Sequence, residues 1–193
     1  MSRALIVVDV QPTFCEGGSL PVEGGNAVAE RIAAFAATHR GAYDLVATTQ
    51  DWHIDPGSHF SDTPDFVDTW PPHGVAGTPE AELHPALAAL DADVTVKKGQ
   101  YAAAYSGFEG TTADGSTLQR ALEAAGITDV DVVGLAESHC VAQTALDAVA
   151  AGFTTRVLTD LTEPVTEELG AAARVRMGGA GVELVDSGVV DPD

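Results

Sequence analysis

The feature that most limits how this chain can fold is a series of short, nearly unbroken apolar runs separated by segments with helical spacing. The first run, Ala4-Leu5-Ile6-Val7-Val8, leads directly into Asp9 and Val10. A strand read this way, without polar alternation, belongs in a parallel sheet covered on both faces. After a Gly/Pro-rich loop from Pro12 to Gly25, Val28, Ile32 and Phe35 recur at i, i+4 and i+7, which predicts a helix over 26–38. Leu45 to Thr49 reads as a second strand ending just before Asp51, and Val94 to Lys98 as a third, stopped by Gly99. Ser116 to Ala125 reads as a helix opened by a Ser116/Gln119 capping box. Asp131 to Ala136 is a strand, and 140–151 a helix closed by Gly152. Arg156 to Thr159, 166–177 and Val182 to Val185 then read as strand, helix and strand. This alternation predicts an α/β fold: an open, mostly parallel, doubly wound sheet of about six strands with helices on both faces, three layers in all. At 193 residues the whole chain, 1–193, is expected to be one domain.

One stretch breaks the pattern. Residues 52–93 hold six of the ten prolines, both tryptophans and four of the six histidines. A segment that long with little regular structure is usually functional. It reads as an insertion, with room for a short helix near 80–90.

Charge removes whole classes of partner. Nine basic residues against 29 acidic ones leave a formal net charge of −20. Binding to nucleic acid or to anionic membranes needs clustered Lys and Arg, so neither is expected. The acid is dispersed, and the only lysines are Lys97 and Lys98. That pattern fits a protein of a salt-rich cytoplasm, where screening tames self-repulsion, or an ordinary acidic protein. No apolar run approaches the roughly 18 residues of a membrane span, and the run after Arg3 is too short for a signal peptide. A cytoplasmic location with Cys15 and Cys140 as free thiols is the expectation.

Open α/β sheets bind ligands at the carboxyl ends of their strands. Those ends here carry Asp9, Asp51, Lys98 and, past the next strand, Cys140. Cys140 sits between a strand and a helix, where the helix dipole favours a thiolate and backbone N–H groups can hold an oxyanion. Ala136 and Cys140 are the expected donors; a buried structural cysteine is the other reading. Lys98 shares a strand face with Val94 and Val96; pointing inward it needs a carboxylate, for which Asp9 is available, and two exposed lysines at a strand edge is the other reading. Beside a nucleophilic cysteine Asp9 is a general base, though a helix cap or a phosphate-site acid would also fit. Asp51, His53, His59 and His73 lie within 23 residues, a nitrogen and oxygen set suited to one divalent ion, Zn2+, Fe2+ or Mn2+. His39 and His84 lack that context.

The stretches Val7-Val8-Asp9-Val10-Gln11, Phe14-Cys15-Glu16-Gly17-Gly18-Ser19-Leu20, Asp51-Trp52-His53 through Phe60, Trp70-Pro71-Pro72-His73, Lys98-Gly99, Tyr105-Ser106-Gly107-Phe108 and Ser138-His139-Cys140-Val141 resemble the nicotinamidases, also called pyrazinamidases. These belong to the isochorismatase-like cysteine hydrolases. The resemblance spans nearly the whole chain in order. It implies a catalytic set of Asp9, Lys98 and Cys140 and a metal held by Asp51, His53, His59 and His73. It implies further that Phe14, Trp70 and Tyr105 wall the substrate ring, and that a cis peptide joins Leu135, beside the substrate, to Ala136. The reaction it implies is nicotinamide plus water giving nicotinic acid and ammonia, as a monomer or homo-oligomer. Another isochorismatase-like hydrolase of small amides is the near alternative, and a non-catalytic metal-binding protein the distant one. Ser138 stands where members often have Asp.

Overall fold

The computed structural model describes residues 2–192. Its parallel sheet contains β1 (Arg3–Val8), β2 (Leu45–Asp51), β3 (Val94–Lys98), β4 (Asp129–Leu135), β5 (Thr154–Glu163) and β6 (Glu183–Val185). The strand order is β3-β2-β1-β4-β5-β6. The helices are α1 (Gly25–His39), α2 (Leu118–Ala124), α3 (Ala142–Ala150) and α4 (Glu167–Gly179). The period of two in β1 sends Ala4, Ile6 and Val8 to one face and Leu5 and Val7 to the other. The first set packs with Leu118 and Leu122 of α2, Ala145 and Ala148 of α3, and Ala173 and Met177 of α4. The second packs with Val28, Ala29, Ile32 and Phe35 of α1. The sheet is therefore the middle layer of three. Each fully buried aliphatic side chain contributes about 1.5–3 kcal/mol to holding it. No helix among the described residues is long and apolar enough to cross a membrane.

Asp131 lies inside an apolar strand and is fully buried. Arg3 Nη1 donates to it at 2.6 Å, Arg156 at 2.7 and 2.6 Å, and the Tyr43 hydroxyl at 2.8 Å. Two guanidinium groups thus neutralise one buried carboxylate and tie β1, β4 and β5 together at the end opposite the site.

Several local expectations are corrected. α2 begins later than Ser116: Thr117 is its cap, the Oγ1 accepting from Arg120 N at 3.3 Å, so the Ser116/Gln119 capping box does not form. A capping box does form at Ser106 and Glu109, where it opens a one-turn 3-10 helix. The helix expected near 80–90 is two separate 3-10 turns, Pro79–Ala81 and Pro85–Leu87, because each proline starts a turn it cannot extend. β5 runs ten residues and outgrows the apolar core of its sequence run. The helix expected from residue 140 opens instead with a π-helical turn, Glu137–Val141, ahead of α3. Gly152 does follow α3 with φ +95°.

The chain builds β1, β2 and β3 outward on one side, then crosses to lay β4 against the other edge of β1. The carboxyl ends of β1 and β4 therefore form the switch point where an open α/β sheet leaves a crevice.

Candidate active site

Register, rather than proximity in sequence, assembles the crevice. Asp51 and Lys98 are register partners across β2 and β3, and Asp9 follows β1 directly beside Thr49 of β2. Asp9 takes a left-handed backbone conformation, φ +48°, which Asp tolerates better than most residues. Its Oδ1 accepts from the Thr49 hydroxyl at 2.6 Å. Lys98 has no exposed surface. Its Nζ lies 2.9 Å from Asp9 Oδ2, in contact with Asp51 Oδ1, 3.7 Å from Cys140 Sγ and 3.1 Å from the Ala104 carbonyl. One ammonium thus binds two carboxylates and faces the thiol. Lys97, one residue earlier, points the other way and stacks over the Trp52 ring at 3.2 Å.

Burial opposes the Lys98 charge, but Asp51 and Asp9 outweigh it and hold the ammonium well above its usual range. Burial also acts to raise Asp51, yet Lys98, with His53 and His73, keeps that carboxyl well below the carboxylate range. Asp9 goes the other way: burial raises it, Lys98 only partly offsets that, and Asp51 adds repulsion. The surroundings of Cys140 work against the thiolate more than for it. Burial pushes the thiol well up, Lys98 pulls it down by less, and Asp9 and Asp51 repel the anion. A thiol in these surroundings would need a base beside it to act as a nucleophile, and the acid with the raised pKa, Asp9, suits that task. Cys15 has no such surroundings; burial, then Glu16, pushes it up to about 11.

His53, His59 and His73 place one ring nitrogen each within 4.8 Å of one another. His53 Nδ1 lies 2.6 Å from the Gly99 carbonyl, and His73 Nδ1 lies 2.8 Å from that of Pro71. A carbonyl only accepts, so each neutral ring carries its proton on Nδ1 and presents a bare lone pair at Nε2. Those two Nε2 atoms face Asp51 Oδ2 at 3.6 and 3.7 Å. His53 Nε2 and His59 Nδ1 are buried with no hydrogen-bond partner. Lone pairs turned on one another and on a carboxylate repel, and a cation among them reverses the sign. The residues fit a divalent ion with nitrogen and oxygen ligands. Gly99 is required here: its φ is +72°, and a Cβ would stand 2.5 Å from His53 Cε1. His84 is excluded from the group; its Nδ1 caps the turn at Ala86 N and its Nε2 meets Asn26. His39 stacks on Phe35.

A small, largely apolar cleft opens over Cys140, walled by Phe14, Val22, Trp70, Ala136 and His139, with Asp51 and His73 at its metal-ligand side. Tyr105 accepts a hydrogen bond from Trp70 Nε1 at 2.9 Å and lines the adjoining groove with His139. Leu135 is in the core with Leu5 and Val133, and its side chain has no exposed surface. The peptide from Leu135 to Ala136 is cis.

Residues 3–188 match the model of the Isochorismatase domain. The chain belongs to the isochorismatase family of hydrolases. It is 52% identical over 185 residues to the nicotinamidase/pyrazinamidase of Mycobacterium tuberculosis, covering 96% of this chain and 99% of that one. The zinc complex of the Pyrococcus horikoshii pyrazinamidase superposes with a TM-score of 0.82 at 33% identity, covering 96% and 99%. PnC1 from L. infantum, in complex with nicotinate, does so with a TM-score of 0.84 at 33% identity, covering 97% and 93%.

Three parts of this isochorismatase-family site escaped the sequence reading. Gln11 clamps Asp51 by its backbone: Oε1 accepts from Asp51 N at 2.8 Å and Nε2 donates to Asp51 O at 3.0 Å. Its place in an otherwise apolar run, two residues after Asp9, was the available signal. Asp51 is shared between Lys98 and the histidines, which period and spacing do not reveal. His139 lies edge-on to Trp70 with centroids 5.7 Å apart, and its ring faces the cleft wall.

Proposed function

We propose that this hydrolase cleaves the carboxamide of nicotinamide to give nicotinic acid and ammonia, deamidates pyrazinamide in the same way, and serves NAD salvage. The observation that carries the reading is Lys98. It joins Asp9, beside Cys140, to Asp51, beside the three histidines, so that a nucleophile and a metal-ligand group stand at one cleft. The names of the relatives support the substrate.

Asp9 takes the Cys140 proton as Sγ attacks the amide carbon, and Lys98 offsets the charge this places around Asp9 and the sulfur. N–H groups of Ala136 and Cys140 hold the oxygen of the tetrahedral adduct. Asp9 returns the proton to nitrogen as the C–N bond breaks, releasing ammonia and leaving a Cys140 thioester. A water then attacks the thioester, with Asp9 taking its proton, and the C–S bond breaks to free the acid and regenerate the thiol. Phe14 and Trp70 hold the ring face to face with the apolar wall. Asp51, His53, His59 and His73 would hold one divalent ion, which supplies a Lewis-acid anchor for the pyridine nitrogen. Residues 1–193 are proposed as a single hydrolase domain with 52–93 as its metal-ligand insertion.

Ammonia release from nicotinamide, pyrazinamide and benzamide, each with and without a chelator, tests the reading. Pyrazinamide has a nitrogen in the corresponding position and benzamide has none. Turnover of the first two that falls on chelation, with poor turnover of benzamide throughout, is expected. Metal-dependent benzamide cleavage comparable to that of nicotinamide would instead mean that the ion activates water.

A further inference from the structure

The turn that carries Cys140 is gripped from outside by α4. Glu137 opens the π-helical turn Glu137–Val141 and is only 1% exposed. Arg174 reaches it with a two-pronged fork: Nε donates to Oε1 at 2.8 Å and Nη2 to Oε2 at 2.8 Å. Its remaining nitrogen, Nη1, donates to Glu167 Oε1 at 2.9 Å, so the guanidinium is braced by its own helix. A second tie lies beside the first, from Val165 N–H to Ser138 Oγ at 3.2 Å. Two consecutive residues of the turn are thus fastened to the segment 165–174. The turn itself is stiff: the Ala136 carbonyl accepts from His139 N at 3.0 Å and Val141 N at 3.2 Å, and the Ala142 N–H donates to the Glu137 carbonyl. A pull on Glu137 is passed to the two groups the chemistry uses, the Cys140 Sγ and the backbone around Ala136.

Neither Glu137 nor Arg174 lines the cleft. A buried ion pair is also a poor way to gain stability, since apolar residues of similar shape commonly do as well or better. Planar bidentate contact supplies geometry instead. We propose that Arg174 is a positioning residue which, through Glu137, sets the place of the Cys140 sulfur and of the N–H groups that receive the oxyanion. This rests on the function proposed above.

The test compares wild type, Glu137→Leu/Arg174→Leu and Arg174→Lys. The double variant removes both charges together and leaves no buried ion unpaired, so it keeps its melting temperature. Its kcat for nicotinamide falls roughly 10- to 100-fold with KM little changed, the penalty of a nucleophile misplaced by up to about 1 Å. The rate of Cys140 alkylation by iodoacetamide, followed against pH, shifts from the wild-type profile. Arg174→Lys keeps the charge and loses the fork, and shows the same pattern with a smaller loss of about three- to tenfold. Wild-type kcat and a wild-type alkylation profile in the double variant overturn the proposal. If the double variant does not fold, the same result in Arg174→Lys overturns it. Should wild type itself release no ammonia from nicotinamide, the proposed function fails, and the alkylation profiles still decide the role of Arg174.

Discussion

Replacing Lys98 by Met removes one charge and leaves two. Met fills a similar volume, so the loss is electrostatic and not a cavity. In the native chain Nζ stands 2.9 Å from Asp9 Oδ2 and touches Asp51 Oδ1, with all three groups buried. At an effective dielectric of about 20, a unit pair at that separation attracts by about 6 kcal/mol before desolvation is counted. Desolvation offsets most of this, and deleting one partner of a buried pair costs about 3–5 kcal/mol net. In a chain of this size 1 kcal/mol moves the melting point by about 2–4 °C, so Lys98→Met melts roughly 6–20 °C below wild type near pH 7. The deficit has a defined pH dependence. Without the ammonium, the facing carboxylates repel, and at least one is held above its unfolded value of about 3.9. A carboxyl raised in the folded state binds more protons folded than unfolded, so its penalty is full above the raised pKa and shrinks as pH falls toward that unfolded value. Thermal melts from pH 8 to pH 4 therefore show the two proteins converging on the acid side. In an Asp9→Asn background the same substitution costs less, because one of the two stranded charges is gone. A Lys98→Met protein that melts with wild type at every pH, or penalties that add, would refute the shared-ammonium account. Turnover falls by orders of magnitude in the same variant, since members of one catalytic unit fail together.

Three other outcomes follow from the same geometry. Cys140→Ala abolishes ammonia release while Cys15→Ala keeps most of it; comparable losses would break the assignment of the nucleophile. His59 is pulled down to about 4 by burial, then by His73 and His53, so the unfolded chain binds its proton first as pH drops from 6.5. Metal-free wild type accordingly loses stability between pH 6.5 and 4, and His59→Gln has a shallower slope in urea titrations across that window. Dispersed charge of −20 makes screening stabilising, so the melting temperature rises through a series to molar salt; a flat or falling series places the chain with ordinary acidic enzymes.

The sequence by itself determined the layer order and the addresses of the chemistry. Ala4 to Val8 has no polar break and is short and rich in β-branched residues, which favours a strand covered on both faces, and strands of that kind leave Asp9, Asp51 and Lys98 at one end of a sheet. The alternation of Val94, Val96 and Lys98 put Lys98 and Lys97 on opposite faces, because a strand has only two; the fold buried the first of them. Cap positions were less legible: Ser116 reads as the start of α2, and the structure caps it one residue later at Thr117. What only the tertiary structure decided is how the charges are shared. Pairing Asp51 with Lys98 depends on the register of β2 against β3, which local pattern does not encode. The electrostatics of Cys140 depend on burial and on Lys98, Asp9 and Asp51, which only the fold places around the sulfur. The grip of Arg174 on Glu137 joins residues 37 apart in sequence across two elements. Periodicity reports which face a residue occupies, whereas Coulomb energy and desolvation depend on distances between residues that the fold alone brings together.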